Sequence, residues 1–162
     1  MNVKKGVIFL AIFVCSSGLF AFKGYEIKIK INGYKDTTCY LAYHFGDLQI
    51  IKDTVEIVNG VATFKGDDAL SGGIYMFLLD AKKGEFFEFV GNESKIELET
   101  EYKKYNEKMK VHHSEENKAF FDYIHFISDQ RQKTEKLKEE HKKLKKGTKK
   151  EMELSQKIKD ID

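Results

Sequence analysis

Apolar and polar residues alternate between Tyr25 and Glu101, where apolar positions recur at about every second residue. This period is typical of β-strands with one buried and one solvated face. Strands are predicted from the same pattern and from the turn residues between them, at 25–31, 37–45, 48–52, on both sides of a turn within 53–66, and at 74–80, 85–90 and 95–101. Seven or eight short strands predict a mainly β fold, either an antiparallel β-sandwich or a partly open barrel.

The segment 53–66 contains the clearest turn signal of the chain, the dipeptide Asn59-Gly60. Asn and Gly tolerate positive φ, which a tight type I′ turn requires at both central positions. We therefore predict a β-hairpin here. Apolar residues alternate with polar ones on both sides of the turn and are expected to face the core: Val55, Ile57, Ala62 and Phe64.

The sequences of two other strands predict which of their faces are buried. The segment Ile74–Asp80 is apolar at both odd and even positions, which predicts a central strand covered on both faces. Cys39 shares its parity with Leu41, Tyr43 and Phe45, so all four side chains are expected to face the core.

The period changes to that of a helix at Ser114, a good N-cap that is followed by two glutamates. An apolar stripe is expected to pack on the β-domain or on a further domain: Phe120, Phe121, Tyr123, Ile124, Phe126 and Ile127. Beyond Asp129 the pattern predicts a solvated helix, or half of a helical pair, that ends at Gly147. Thr148 and Glu151 form a capping box for a second helix, which predicts an antiparallel helical hairpin or a stalk.

The N-terminal segment has the features of an export signal. Lys4 and Lys5 precede an apolar run, and Ala21 is a small residue at a suitable cleavage position. The run is short for a membrane span, although an uncleaved anchor or a buried helix remains an alternative. Lipidation at Cys15 is the minority interpretation, because Val14 is not the small residue that such processing requires.

The chain therefore divides into a signal peptide at 1–21, an antiparallel β-domain at 22–113 and a charged helical linker or hairpin at 114–162. Removal of the signal leaves Cys39 as the single cysteine, so no internal disulfide is possible. A small buried hydrophobic residue is the favoured interpretation of Cys39, and a redox or intermolecular thiol is the alternative. The net charge of +2 gives no argument for nucleic-acid binding.

No motif identifies a reaction. The sequence contains no C-x-x-C, nucleophile elbow, P-loop or dinucleotide fingerprint. Several residues were considered for chemistry and interpreted as structural: a loop pair before the helix at His112-His113, isolated histidines at His44 and His125, turn residues at Asp47, Asp67 and Asp68, and a solvated helix face in the lysine-rich run 142–146. We predict no catalytic, cofactor-binding or metal-binding residue and no cofactor, so this chain is not expected to be an enzyme.

The pattern D-T-V-x-x-x-x-G-x-x-x-F-K-G at 53–66 resembles a domain of unknown function from secreted proteins of Bacteroidetes. The strand Leu41-Ala42-Tyr43 with Gly46-Asp47 after it, and the segment 89–98, support the resemblance, which covers roughly 24–113. In that family the domain precedes a thioredoxin-like domain of the TlpA or AhpC/TSA type, which carries the W-C-x-x-C motif. The resemblance implies an accessory domain of a thiol-disulfide oxidoreductase in the periplasm or cell envelope, with the catalytic domain absent from this chain.

Two classes of function follow from these observations. In the first, the chain is the non-catalytic N-terminal part of an exported thioredoxin-like protein and serves in positioning, docking or dimerisation. In the second, it is a stand-alone secreted β-domain that binds a glycan, a peptide or an envelope component. Its partners would be the thioredoxin-like domain, a second copy or an envelope protein, with membrane contact limited to the signal or a lipid at Cys15.

Overall fold

The fold is a two-layer β-sandwich followed by two helices. The computed structural model describes residues 24–35, 37–80 and 83–161. The prediction of a β-sandwich followed by helices is confirmed, and the sandwich is the correct one of the two alternatives. The predicted signal segment 1–21, with its candidate residues Cys15 and Ala21, lies outside the described residues.

Each layer of the sandwich is a sheet of four strands. In chain order the strands are β1 (Tyr25–Asn32), β2 (Thr38–Phe45), β3 (Leu48–Glu56), β4 (Val61–Gly66), β5 (Ile74–Asp80), β6 (Glu85–Val90), β7 (Lys95–Glu101) and β8 (Lys110–His113). The first sheet has the order β4-β1-β7-β8 and the second has the order β3-β2-β5-β6.

The inward residues of both sheets form one apolar core. Every second residue of β1 is buried, as the isoleucine alternation predicts. Phe64 is fully buried, and its ring lies 6.0 Å from Phe77 of the opposite sheet in an edge-to-face arrangement. Phe77 in turn packs against Phe87 at 5.3 Å. Such aromatic pairs contribute beyond the area that they bury, and the pair of Phe64 and Phe77 joins the two layers.

The prediction of a hairpin at Asn59-Gly60 is confirmed for the turn and wrong for the pairing of the strands beside it. Both residues have positive φ, 52° and 77°, as the predicted turn requires. The strands on its two sides pair only at Val58 and Val61, and β3 then joins the second sheet while β4 joins the first. The turn therefore carries the chain from one layer to the other. The predicted segments 48–52 and 53–57 merge into the single strand β3, with a β-bulge opposite Leu41 and Ala42.

The first sheet contains a parallel pair, which the expectation of an antiparallel fold did not include. Strand β1 runs parallel to β7 from Glu26 opposite Lys95 to Asn32 opposite Glu101. Strand β8 was also missed, because four residues with two histidines gave a weak signal. The prediction of a loop at His112-His113 is therefore wrong.

The prediction that Phe45 faces the core is wrong. Cys39 and Leu41 are buried and Tyr43 is half-buried, but Phe45 is 67 % exposed. Strand β2 pairs with β5 only from Tyr40 to Tyr43, so the tip of the β2–β3 hairpin extends beyond the neighbouring strand. Parity places Phe45 on the inner side, but the paired part of the sheet ends before it.

Helix α1 (Glu115–Lys142) starts at the predicted cap, where Ser114 Oγ accepts a hydrogen bond from Asn117 N. It ends at Lys142 and not at Gly147, so the lysine-rich run lies mostly in the turn before α2 (Lys149–Lys159). The prediction that this run forms a solvated helix face is therefore wrong for residues 143–146. Helix α2 starts at Thr148, whose Oγ1 accepts a hydrogen bond from Glu151 N, as the capping box predicts.

Helix α1 packs against the edge strand β6 and continues past it. Asn117 and Phe121 are buried, and Phe121 belongs to the core of the sandwich. The distal part of α1 packs against α2, where Thr134 and Leu154 are buried and His141 Nε2 lies 2.8 Å from Glu151 Oε1. This is a helical hairpin. No helix in the described part of the chain is long and apolar enough to cross a membrane.

Candidate interaction surface

The outer face of the first sheet is a ladder of opposite charges. Lys28 Nζ lies 3.7 Å from Glu97 Oε1, and Lys65 Nζ lies 3.4 Å from Glu26 Oε2, across neighbouring strands. Side chains of this kind stay hydrated, and each exposed pair contributes little to stability. This face is therefore suited to exposure to solvent.

Glu99 of β7 is the most strongly held charge on that face. Asn32 Nδ2 donates to one carboxylate oxygen at 2.9 Å, and His112 Nε2 lies 3.2 Å from the other. Lys30 Nζ lies 3.5 Å from the same group. The hydrogen bonds from Asn32 and His112, with the charge of Lys30, lower the pKa of Glu99 to about 2.

The outer face of the second sheet has the opposite character. The register aligns Ala42 with Ile51 and Met76 in one row, and Tyr40 with Leu78 in the next. Phe86 extends the second row onto β6, and Ile74 has the same parity on β5. We call this surface the outer apolar face: Tyr40, Ala42, Ile51, Ile74, Met76, Leu78 and Phe86.

The outer apolar face is open at its edges. Ile51 is 56 % exposed and Phe86 is 41 % exposed, whereas Ala42 and Met76 in the middle are buried. In the part of the chain that the structure describes, α1 contacts this sheet at its edge strand β6. The prediction that Ile74–Asp80 is covered on both faces is confirmed on the inner face and at Met76 on the outer face, whereas Leu78 is half-buried and Ile74 is exposed.

One ionisable pair lies on this surface, because Glu88 of β6 stands opposite Met76 in the row of Ala42 and Ile51. His44 Nε2 lies 3.4 Å from Glu88 Oε1, across strand β5 from each other. Both side chains are partly exposed. The pair therefore places polar side chains among the apolar rows of this face.

A smaller cleft lies at one end of the sandwich between Tyr34 and Tyr102, whose ring centroids are 4.8 Å apart. Its volume is about 330 Å³, and Gly33, Lys35 and Thr37 complete its lining. The Tyr102 hydroxyl donates to the Glu85 carboxylate at 3.1 Å. Both rings are half-buried, so they offer apolar surface and hydroxyl groups together.

Tyr105 connects this cleft to the core. Its ring lies 6.3 Å from Tyr102 and 5.7 Å from Phe87. Its hydroxyl is buried without a hydrogen-bond partner in the described residues, and burial raises its pKa to about 12. The hydroxyl is thus kept protonated and apolar contacts dominate around it.

Cys39 is sealed in the core. The side chain is fully buried and its Sγ donates to Val55 O at 3.5 Å. Burial, and next the nearby charge of Asp53, raise the pKa of the thiol to about 12. A thiol in this state is a poor nucleophile, so the interpretation as a small buried hydrophobic residue fits the structure.

The histidines and acidic turn residues do not converge on a metal site. His125 Nε2 lies 2.7 Å from Asn106 O and is satisfied there. His112 and His113 are both exposed on β8, with His112 beside Glu99. Asp47, Asp67 and Asp68 are exposed turn residues. In residues 24–35, 37–80 and 83–161, no three His, Cys, Asp or Glu side chains are grouped to hold a metal ion.

The sequence did not predict the structural role of Asn117, a buried polar residue. Its Oδ1 accepts from Val90 N at 2.8 Å, and its Nδ2 donates to Val90 O at 2.8 Å. The side-chain amide thus occupies the place of a neighbouring strand at the edge of β6. The sequence offers only its position in the first turn of a capped helix as a signal, since the partner strand is 27 residues away.

A protein-family model matches this chain. The model of a family described as a domain of unknown function (DUF4369) matches residues 25–120, more than half of the 162 residues. No curated protein matches the chain, and no solved structure matches it. The matched range comprises the whole sandwich and the first residues of α1.

Proposed function

The chain belongs to this family of domains of unknown function, and from that membership we propose that it is a non-catalytic accessory module of an exported thioredoxin-like thiol-disulfide oxidoreductase. In this proposal the module positions a catalytic domain by binding a folded protein surface. The catalytic domain would be the one that carries W-C-x-x-C in the proteins that segment 53–66 resembles.

The outer apolar face is the observation that carries the proposal. Both layers are sheets of four strands, but one exposes a charged ladder and the other exposes Ile51, Ile74 and Phe86. Contiguous apolar patches on soluble proteins mark interaction sites more often than scattered apolar residues do. A docking role uses this difference, whereas a purely structural spacer would not.

The state of the thiol agrees with a non-catalytic role. Dithiol exchange requires an accessible thiolate and a second cysteine to complete the cycle. Cys39 is buried and protonated, and it is the only cysteine outside the segment assigned to the signal. In our proposal, redox chemistry therefore belongs to another domain.

Helix α1 supports the positioning role. Tyr123 is 61 % exposed and Phe126 is similarly exposed, although both lie in the apolar part of the helix. They provide a second apolar surface, next to a hollow of about 530 Å³ that Asn106, Ile124 and Arg131 help to line. A domain connected through the helical hairpin could rest against this part of α1.

Export to the periplasm or cell envelope is part of the same proposal. Lys4 and Lys5, the apolar run after them and Ala21 are its basis. The chain that is secreted would begin near Phe22, two residues before the first described residue.

The decisive test is to read the gene beyond codon 162 and to map contacts of its product in the native host. We expect a thioredoxin-like domain with W-C-x-x-C in the same reading frame. A photo-crosslinking amino acid at position 51 should give adducts with a polypeptide of the same gene, and the same probe at the equally exposed Val58 should not. A stop codon at that place together with no adduct from position 51 would refute the proposal.

The tyrosine cleft favours a second candidate function, binding of a carbohydrate by a stand-alone secreted domain. Tyr34 and Tyr102 supply ring surface, and Glu85 and Lys35 supply a hydrogen-bond acceptor and donor for sugar hydroxyl groups. The cleft volume of about 330 Å³ is at the small end for ligand sites and would hold one sugar unit. Titration calorimetry with envelope oligosaccharides tests it: binding should be lost in Tyr102→Ala and kept in Tyr123→Ala.

A further inference from the structure

We propose that the tip of the helical hairpin binds the phosphate headgroups of an anionic lipid bilayer and holds the module at the membrane surface. We call this surface the basic tip. It consists of the exposed lysines within residues 142–150: Lys142, Lys143, Lys145, Lys146, Lys149 and Lys150. The inference goes beyond the proposed function, because it uses a surface of the helical hairpin and not the outer apolar face.

Charge is divided unevenly between the sandwich and the helical hairpin, which the overall net charge of +2 conceals. Residues 130–161 contain 12 lysines and arginines and six acidic residues, a net charge of +6. Residues 24–129 contain 13 basic and 19 acidic residues, a net charge of −6. An anionic surface therefore attracts the hairpin and repels the sandwich, which orients the module with its tip toward that surface.

The charges of the basic tip are largely unpaired. His141 Nε2 lies 2.8 Å from Glu151 Oε1, and Gly147 N donates to Glu151 Oε2 at 3.3 Å, so the glutamate at the base of the tip is already engaged. Lys149 pairs with Glu153 at 3.9 Å. Among the residues that the structure describes, the other five lysines of the tip form no ion pair. Five positive charges are thus available to an anionic partner.

The basic tip projects away from the sandwich. His125 Nε2 contacts Asn106 O at 2.7 Å, and the part of α1 from His125 to Lys142 is about 25 Å long at about 1.5 Å per residue. Exposed charges act over about 10 Å at 0.1 M salt, so a projecting element is needed to bring several lysines within range of a flat bilayer. Each lysine within that range should strengthen binding about fivefold.

The side chains around the tip favour a lipid surface over a nucleic acid. All cations of the basic tip are lysines, which act as point charges, whereas paired recognition of phosphates and bases favours the arginine fork. Residues 128–161 contain no aromatic side chain on which a base could stack. Met152, directly after the tip, is 59 % exposed and offers an apolar contact at the boundary between headgroups and acyl chains.

Cosedimentation of the chain with lipid vesicles tests the proposal. Vesicles of about 30 % phosphatidylglycerol in phosphatidylcholine should bind the chain at about 0.05 M NaCl, and binding should fall at least about tenfold at about 0.5 M. A variant with Lys143→Gln, Lys145→Gln, Lys146→Gln and Lys150→Gln should bind at least about tenfold more weakly than the parent.

The matched control removes the same number of charges from exposed lysines outside the hairpin. It carries Lys95→Gln, Lys108→Gln, Lys110→Gln and Lys118→Gln, and should bind within about threefold of the parent. The two variants have equal net charge, so only the position of the lysines distinguishes them. Thermal unfolding shows that each variant is folded, and glutamine keeps the helix propensity of lysine.

A photo-crosslinking amino acid at position 152 makes the test independent of any lipid contact by residues 1–23. It should form lipid adducts with the anionic vesicles and not with vesicles of phosphatidylcholine alone. The same probe at position 126 is the control, because Phe126 is 56 % exposed but lies beside His125, near the sandwich. It should form no adduct with either kind of vesicle.

Three results would overturn the inference. The first is equal binding of the parent and the tip variant to anionic vesicles. The second is the absence of lipid adducts from position 152. The third is binding of duplex DNA or heparin by a parent chain that does not bind vesicles, which would assign the tip to another polyanion. Crosslinking from position 51 is measured separately, so the docking function can fail or hold whatever the vesicles show.

Discussion

At the scale of single residues, Glu99 shows how a surface charge becomes part of the fold. The pKa of its carboxyl is about 2 in the folded protein against an ordinary value of 4.5. Because the pKa of Glu99 is lowered on folding, its ionised carboxylate stabilises the folded state at any pH above about 4.5. This contribution is lost as the pH falls from about 4.5 toward about 2. Glu99→Gln should therefore destabilise the protein at pH 7, and its difference from the parent should shrink at pH 3.

Urea unfolding at the two pH values measures this difference. Glu101→Gln is the control, because Glu101 is exposed and pairs with Lys104 at 3.7 Å. It should have a small effect at both pH values. If Glu99→Gln costs as much at pH 3 as at pH 7, the cause lies in packing and not in the ionised carboxylate.

Phe64 represents the residues of the core. It is fully buried between the layers and packs edge-to-face with Phe77, so Phe64→Ala should cost about 3–5 kcal/mol of unfolding free energy. Val58→Ala, in the same turn region but exposed, should cost less than about 1 kcal/mol. Urea unfolding at constant pH compares the two. A small loss for Phe64→Ala would mean that the core can close around the missing ring.

Residue-scale prediction works where a local rule decides the outcome. The inward parity of Ile27 and Phe64, the positive φ of Asn59 and the cap at Ser114 all follow from neighbours a few residues away. The roles of Asn117 and Tyr102 depend on contacts with Val90 and Glu85, which only the folded chain brings near. No local pattern contains that information.

At the scale of elements, α1 has two parts with different roles. Its first three turns carry Asn117 and Phe121 into the sandwich, and His125 reaches Asn106. Its distal part contacts α2 and not the sheets. Residues after Asp129 should therefore be dispensable for folding of the sandwich.

Two truncations of the chain test this division. A chain that ends at Ser128 should melt within a few degrees of the parent. A chain that ends at His113 should lose stability or solubility, because it exposes the area that Phe121 covers and leaves the Val90 backbone groups unpaired. Thermal unfolding by circular dichroism compares them. Unfolding of the chain that ends at Ser128 would make the helical hairpin part of the core.

Element boundaries were predicted better than element partners. The strands at 74–80, 85–90 and 95–101 have their predicted bounds, because alternation and turn residues mark them. The partners of β3 and β4 could not be predicted from the Asn59-Gly60 turn, since a tight turn fixes the local reversal and not the sheet that each strand then joins. The outer apolar face follows from β5 and β6 only once these strands are known to be neighbours.

At the scale of the whole molecule, the chain should show no thiol-disulfide oxidoreductase activity by itself. Its buried thiol cannot form and break an intramolecular disulfide. Insulin reduction with dithiothreitol should proceed at the rate of the blank, both for the parent and for Cys39→Ser. Turnover that requires Cys39 would contradict the assignment of redox chemistry to another domain.

The parallel pairing of β1 with β7 has a consequence for the order in which the molecule assembles. Ile27 of β1 can pair with Ile96 of β7 only after the chain between them is in place, and that part of the chain contains the strands of the second sheet. Contacts that span such sequence distances slow folding, because the loop between them must close first. When the chain emerges N-terminus first during synthesis, the second sheet can complete its antiparallel pairings while β1 still lacks β7. The first layer is therefore the late-forming half, and the outer apolar face belongs to the half that is available early.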